Sequence, residues 1–175
     1  MGRIKPLEKG EVSGEAFAVY EEIEQAFGRV PNLFKTYAHF PPLLRANWEK
    51  RRAVMLGGSL SRVLKEEIAL VVSQANGCRY CVAAHSAALK RLGVPEEKVT
   101  ALLGELGKGG LPEKEQALLE FTRQASVDPH QVTDQGVKRL RELFSDAELV
   151  EALGVMEVYT SFNKFLDCLD VDIDF

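Results

Sequence analysis

The chain has 175 residues, of which 46% are hydrophobic and 27% charged, with a net charge of -4 at pH 7. That balance describes a folded globular protein with enough chain for one sizeable core, and it excludes a disordered segment. A mildly acidic chain with no concentrated Lys and Arg stripe has no electrostatic footprint for nucleic acid, and three cysteines are too few for a secreted disulfide framework.

The N-terminal stretch mixes charge and glycine without an apolar h-region, and no run of about 18 apolar residues occurs. No membrane partner and a reduced, cytoplasmic setting are expected. Apolar residues return every three and four positions and alternating strand patterns are missing, so the expected fold is all-α, a single helical domain over residues 1–175.

In chain order, residues 13–28 predict a first helix, with Ser13 as cap and Gly28 as stop. Pro31 sits at a first helical position, and the Pro41-Pro42 pair divides residues 30–56 into two helices. Gly57-Gly58 marks a loop before Ser59 or Ser61 caps a largely apolar helix that belongs at the centre of the core and ends at Asn76-Gly77. The next helix runs from Cys78 to a stop at Gly93. A short helix is expected over 95–106, a loop over 108–112, and three further helices over 113–127, 133–143 and 145–169, with Thr133 and Ser145 as caps. The acidic end, residues 170–175, reads as a tail that runs out from the fold. Trp48 and the Phe residues read as core. His39, His130 and Cys168 have no motif around them and read as structural or neutral.

The chemistry concentrates in "NGCRYCVAAHSAALKRLG", residues 76–93. Cys78 falls at the start of a helix, where unpaired N–H groups and the helix dipole favour a thiolate. Cys81 lies on the next turn of the same face, within reach of a disulfide once the first turn relaxes. His85, one turn further, can take a proton from sulfur. The helix terminus favours Cys78 as nucleophile and the neighbouring base favours Cys81; spacing leaves the choice open. A carboxylate that orients His85 would complete a relay. Glu66 and Glu67 are the candidates, each reading by itself as a solvated helix face, and Glu67 lies nearer the Leu64, Ile68, Val71, Ala75 stripe. Tyr80 reads as a packing aromatic with its hydroxyl at the surface.

Metal is the chemical rival. A structural zinc site needs a second ligand pair that the chain lacks, and three ligands crowded onto two helical turns strain tetrahedral geometry. Val82 stands where covalent haem attachment needs histidine, and no βαβ pattern accompanies the pair as a thioredoxin fold requires. No metal and no cofactor are expected.

Residues 61–93 resemble the core of the carboxymuconolactone decarboxylase-like superfamily in its alkylhydroperoxidase AhpD branch: a Glu, eleven residues, then Cys-x-x-Cys-x-x-x-His, which here selects Glu66, Cys78, Cys81 and His85. The segment "SFNKFLDCLDVD" resembles the longer, peroxidase-related members and extends the likeness along the chain. The redox core is thus bounded at about residues 59–93. The resemblance implies an all-helical homo-oligomer and a peroxidase cycle without haem or metal, acting on a small hydroperoxide and restored by a thiol or lipoyl-type reductant. It makes Cys81 peroxidatic, Cys78 resolving, His85 the immediate base and Glu66 its partner, against the weak periodic preference for Glu67. AhpD has a further histidine just before its second cysteine; Tyr80 stands there in this chain and removes one member of the relay. The decarboxylase branch lacks the cysteine pair, so lactone decarboxylation is not implied. The alternative is a non-catalytic redox sensor or chaperone-like oligomer that uses the same disulfide to change its packing.

Overall fold

A computed structural model describes residues 2–104, 106 and 110–175. Among these, nine α-helices and no strand form the chain: α1 (Gly14–Phe27), α2 (Asn32–Tyr37), α3 (Pro41–Leu56), α4 (Arg62–Ala75), α5 (Arg79–Arg91), α6 (Glu96–Leu103), α7 (Glu113–Val127), α8 (Asp134–Leu143) and α9 (Asp146–Leu169). Short 3-10 turns at Lys9–Glu11 and Pro129–Gln131 complete the described elements. Among the described residues no helix is long and apolar enough to cross a membrane.

The ends of the helices follow from their local chemistry. Gly28 closes α1 at φ 74°, a left-handed conformation that costs glycine little. Ser61, rather than Ser59, caps α4 by accepting from the Leu64 N–H. Thr133 accepts from Gly136 at the start of α8, and Ser145 and Glu148 form a reciprocal capping box on α9. Ser13 holds the N-cap position of α1 without a side-chain hydrogen bond. Pro31 is the N-cap of α2, one residue before the helix, while Pro41 opens α3, so the prolines start helices instead of interrupting one. The loop expected over 108–112 lies in part outside the described residues, and α6 stops at Leu103, short of the expected end.

Helix α4 is the axle of the fold. It packs against α5, α7, α9, α6 and α3, and every residue from Leu64 to Ser73 is buried. That run includes three consecutive charges, each met by a different neighbour. Lys65 pairs with Glu151 on α9 at 2.5 Å, Glu66 with His85 on α5, and Glu67 with Lys98 on α6 at 2.7 Å. Charges are rarely buried without such partners. The expectation of a solvated glutamate face therefore fails for both Glu66 and Glu67. A helix enclosed on all sides has no outward stripe for a charge to mark.

The aromatic part of the core lies where α2 and α3 meet α9. Trp48 stands edge-on to Phe34 at 5.6 Å, and Phe34 edge-on to Phe162 at 6.2 Å, the T-shaped geometry that ring quadrupoles favour. Phe144 is buried as well, but Phe17, Phe40 and Phe175 are exposed, so only part of the phenylalanine set is core.

The acidic C-terminus does not run out. After Asp170 turns the chain with φ 47°, Val171 is buried and Asp174 is held by residues from distant elements. Its carboxylate accepts from Arg29 at 2.8 Å, from the Asn32 N–H at 3.1 Å and from the Tyr80 hydroxyl at 2.8 Å. The Tyr80 hydroxyl is accordingly inside, not at the surface, and its ring meets Phe175 edge-on at 5.3 Å.

Candidate active site

Gly77, at φ 75°, reverses the chain between α4 and α5. A side chain there meets no neighbour, so glycine is favoured by conformation alone. The reversal makes an antiparallel hairpin in which Glu66 on α4 comes level with His85 on α5.

Cys78 is the N-cap of α5, its N–H donated to the Ser73 carbonyl at 3.0 Å, and Cys81 comes one turn in. Both are free thiols, with exposures of 0% and 3%. A hydrogen bond from Cys81 holds the Cys78 thiol below its ordinary range, against the opposing effect of burial. The same bond and burial push Cys81 well above it, with hydrogen bonds from Asn163 and Ser73 pulling the other way. Of the two coupled thiols Cys78, at the positive end of the helix dipole, is therefore the more acidic.

His85 Nδ1 lies 2.6 Å from Glu66 Oε2, and Arg62 holds Glu66 Oε1 at 2.7 Å. Burial alone would raise the Glu66 carboxyl. The hydrogen bond and charge of His85, with Arg62 and Arg51 behind them, bring it down to about 2. Glu66 is therefore ionised and can only accept, so Nδ1 carries the proton of this bond and Nε2 is the ring nitrogen left to exchange one. The ring is fixed further by Tyr159, edge-on at 4.3 Å.

These groups face a cleft of about 500 Å³ lined by Cys81, His85 and Glu66 together with Tyr159 and Phe162 of α9 and the terminal Phe175. Cys78 is not among the lining residues. Of the residues named from the sequence, Glu66, Cys81 and His85 come together on the cleft wall, with Cys78 buried behind. Glu67 points to α6, where Lys98 takes it, and burial raises its pKa despite that pair. The stripe that favoured Glu67 lies on a helix with no solvent face. Among the described residues no three His, Cys, Asp or Glu side chains are grouped to hold a metal ion. His130 and Cys168 are exposed, and His39 bonds the Lys5 carbonyl at 2.9 Å.

Four residues of the site, Ser73, Asn163, Arg51 and Tyr159, escape a reading of the sequence. Asn163 donates to Ser73 at 3.1 Å and accepts from Asn76 at 3.1 Å behind the Cys81 sulfur. Arg51 and Tyr159 line the cleft. None carries a local motif; Asn163 lies in the C-terminal segment that bears the family likeness, and that is the one signal pointing to it.

A helical chain that clamps a histidine with a buried glutamate beside a reduced Cys-x-x-Cys resembles the alkylhydroperoxidase-like dithiol proteins. Residues 41–124 match the model of the carboxymuconolactone decarboxylase family. In that segment and in its fold the chain is similar to the AhpD-like, peroxidase-related members of that superfamily. It is similar to the alkyl hydroperoxide reductase Rv2159c of Mycobacterium tuberculosis, 30% identical over 112 residues that make up 64% of this chain and 33% of the relative. The chain thus matches about a third of that protein's length. The alkylhydroperoxidase AhpD core of a peroxidase-related protein from Ralstonia eutropha has the same fold, with a TM-score of 0.89 at 26% identity over 99% of this chain and 92% of that one. The debrominase Bmp8, in complex with 2,3,4-tribromopyrrole, superposes with a TM-score of 0.85 over 98% of this chain and 91% of its own; at 23% identity the likeness is one of fold. The fold therefore serves more than one chemistry.

Proposed function

We propose that the protein is a thiol-dependent peroxidase that reduces hydroperoxides through a Cys78–Cys81 disulfide, with Glu66 and His85 as its proton relay. One observation carries this reading: of the two sulfurs only Cys81 reaches the cleft, and the histidine one turn away is oriented by an ionised glutamate.

His85 Nε2 accepts the Cys81 proton, and Glu66 stabilises the imidazolium that forms. Cys78 is still protonated at this stage, and its S–H donates to the Cys81 thiolate. The Cys81 thiolate attacks the terminal peroxide oxygen, the O–O bond breaks, and the leaving alkoxide takes the proton from His85. Cys81 is then a sulfenic acid. Cys78, the more acidic sulfur, attacks it; the S–O bond breaks, hydroxide leaves as water with the Cys78 proton, and the disulfide forms. A thiol or lipoyl-type dithiol supplied from outside the chain restores both sulfurs.

Stopped-flow oxidation of the reduced protein by cumene hydroperoxide, with disulfide formation followed by mass spectrometry, tests the cycle. Stoichiometric Cys78–Cys81 disulfide and turnover with an added dithiol are expected. Thiols that never oxidise would overturn the reading. Oxidation without turnover, accompanied by a change of oligomer size, would replace it with a redox sensor.

A further inference from the structure

The same cleft holds a cation that no carboxylate among the described residues pairs with directly. Arg51, on α3, is only 7% exposed, yet among the described residues no carboxylate or carbonyl accepts a hydrogen bond from it. Its guanidinium lies over the Phe27 ring at 4.4 Å and near the Trp48 ring at 5.9 Å. Cation–π contact satisfies the charge in part and leaves the guanidinium N–H groups for what enters the cleft. Glu66 feels the Arg51 charge, but its close partners are His85 on one oxygen and Arg62 on the other. An arginine keeps its charge in any surroundings, so one largely shielded from water among rings favours an anionic partner.

A second donor points the same way. The Tyr159 hydroxyl is buried without a hydrogen-bond partner, on a ring that packs against His85. Burial keeps this phenol protonated, and it feels the charges of both Arg51 and Cys81. The cleft lining as a whole carries four guanidiniums, those of Arg29, Arg51, Arg62 and Arg91, against the single side-chain carboxylate of Glu66. Asp174 neutralises Arg29 and Glu66 neutralises Arg62, whereas Arg51 has no such counterion. Around these donors the walls are aromatic: Phe27, Phe34, Phe162 and Phe175. Convergent donors set in apolar walls are the pattern of a small-molecule site, with the polar groups fixing orientation.

We propose that Arg51, assisted by Tyr159, is an anion subsite that selects organic hydroperoxides bearing a carboxylate on an aromatic or aliphatic body. The ring or chain lies against the phenylalanines, the carboxylate takes the Arg51 N–H groups, and the peroxide end is left toward Cys81. This rests on the peroxidase reading for the word hydroperoxide. The subsite itself is testable without it.

Trp48 is the only tryptophan of the chain and neighbours Arg51, so its fluorescence reports occupation. The reduced full-length protein is titrated with 4-isopropylbenzoate and with 4-isopropylbenzyl alcohol, which share a body and differ in charge; neither is a peroxide. The carboxylate should bind about tenfold more tightly than the alcohol, as a charge-assisted pair in a water-poor site allows, and its affinity should fall as salt rises. Arg51→Gln should erase the preference and Arg51→Lys keep part of it, with circular dichroism confirming the helical fold of each. Equal affinities in the wild-type protein, a comparison that needs no variant, would overturn the proposal, as would a preference that survives in Arg51→Gln. Inorganic phosphate binding as tightly as the benzoate would also overturn it, since the aromatic walls would then contribute nothing. A carboxylate preference without peroxide-driven thiol oxidation would leave the subsite standing and remove the peroxidase cycle. Oxidation without the preference would do the reverse.

Discussion

His85 Nδ1 and Glu66 Oε2 meet at 2.6 Å across the α4–α5 hairpin, both buried, with Arg62 closing the far oxygen of the carboxylate. Glu66→Gln keeps the shape and removes the charge that fixes the ring's proton on Nδ1. Peroxide-driven oxidation of Cys81 should slow by about 100-fold, the low end for lost general acid–base assistance. Stopped-flow traces at pH 7, beside circular dichroism spectra showing intact helices, check this.

The same carboxyl ties stability to pH. Its folded-state pKa, about 2, is below the ordinary 4.5. The stabilisation it gives is therefore complete above pH 4.5 and lost as pH falls toward 2. At pH 3 that loss amounts to about 2 kcal/mol. Urea unfolding at pH 7 and pH 3 should show a larger drop for the wild-type protein than for Glu66→Gln, by about this amount. Equal drops would disconnect Glu66 from acid stability.

Glu67 supplies the contrast on the next residue. Burial raises its pKa, so the folded protein favours its charged form less than the unfolded chain does, and Lys98 keeps Glu115 as a second partner at 3.2 Å. Glu67→Gln should leave the urea midpoint at pH 7 unchanged or higher, with the rate of thiol oxidation unaltered. A slowed oxidation would show that the relay extends through this side of α4.

The coupling of the two cysteines can be separated by mutation. The hydrogen bond from Cys81 is the largest influence lowering Cys78. Cys81→Ala should therefore raise the Cys78 pKa, read from the pH dependence of its alkylation in a Cys168→Ser background. The same variant should consume no hydroperoxide, whereas Cys78→Ser should complete one reduction and stop at a sulfenic acid that dimedone traps.

Tyr80→Phe removes one of the holds on the C-terminal residues. Asp174 keeps Arg29 and the Asn32 N–H, so the cost should be modest, about 1 kcal/mol. With Phe175 less firmly seated on the cleft wall, alkylation of Cys81 by a bulky maleimide should accelerate severalfold. An unchanged rate would show that the tail does not limit access.

How much of the molecule is legible in its sequence depends on what each signal measures. Gly28 and Asn76-Gly77 mark real ends because a left-handed residue leaves an imprint in residue type, and the helical periods of α7 and α9 hold because each has one apolar side. The Cys-x-x-Cys-x-x-x-His spacing is readable because all three residues share one helix. Periodicity does not settle the partner glutamate, since α4 is covered on every side and a hydrophobic stripe there has no phase; the family resemblance selects Glu66, and the hairpin brings it to His85. The tail defeats a local reading for a related reason. Asp174 is held by Arg29, Asn32 and Tyr80, all more than 90 residues away in the chain, and local composition carries no trace of such partners. Arg51 looks like any charge on α3, because its burial depends on Phe27 and Trp48 closing around it.

The triplet Lys65-Glu66-Glu67 has a consequence for how the molecule assembles. A helix that is greasy all round can sit in its socket at many rotations with little difference in energy. Successive residues on a helix point about 100° apart, so three neighbouring charges aimed at Glu151, His85 and Lys98 work like the wards of a key. A quarter turn of α4, or a slip by one residue, would strand all three at once. The groups that cost most to bury thereby index the helix and leave the glutamate beside its imidazole in only one setting of the lock.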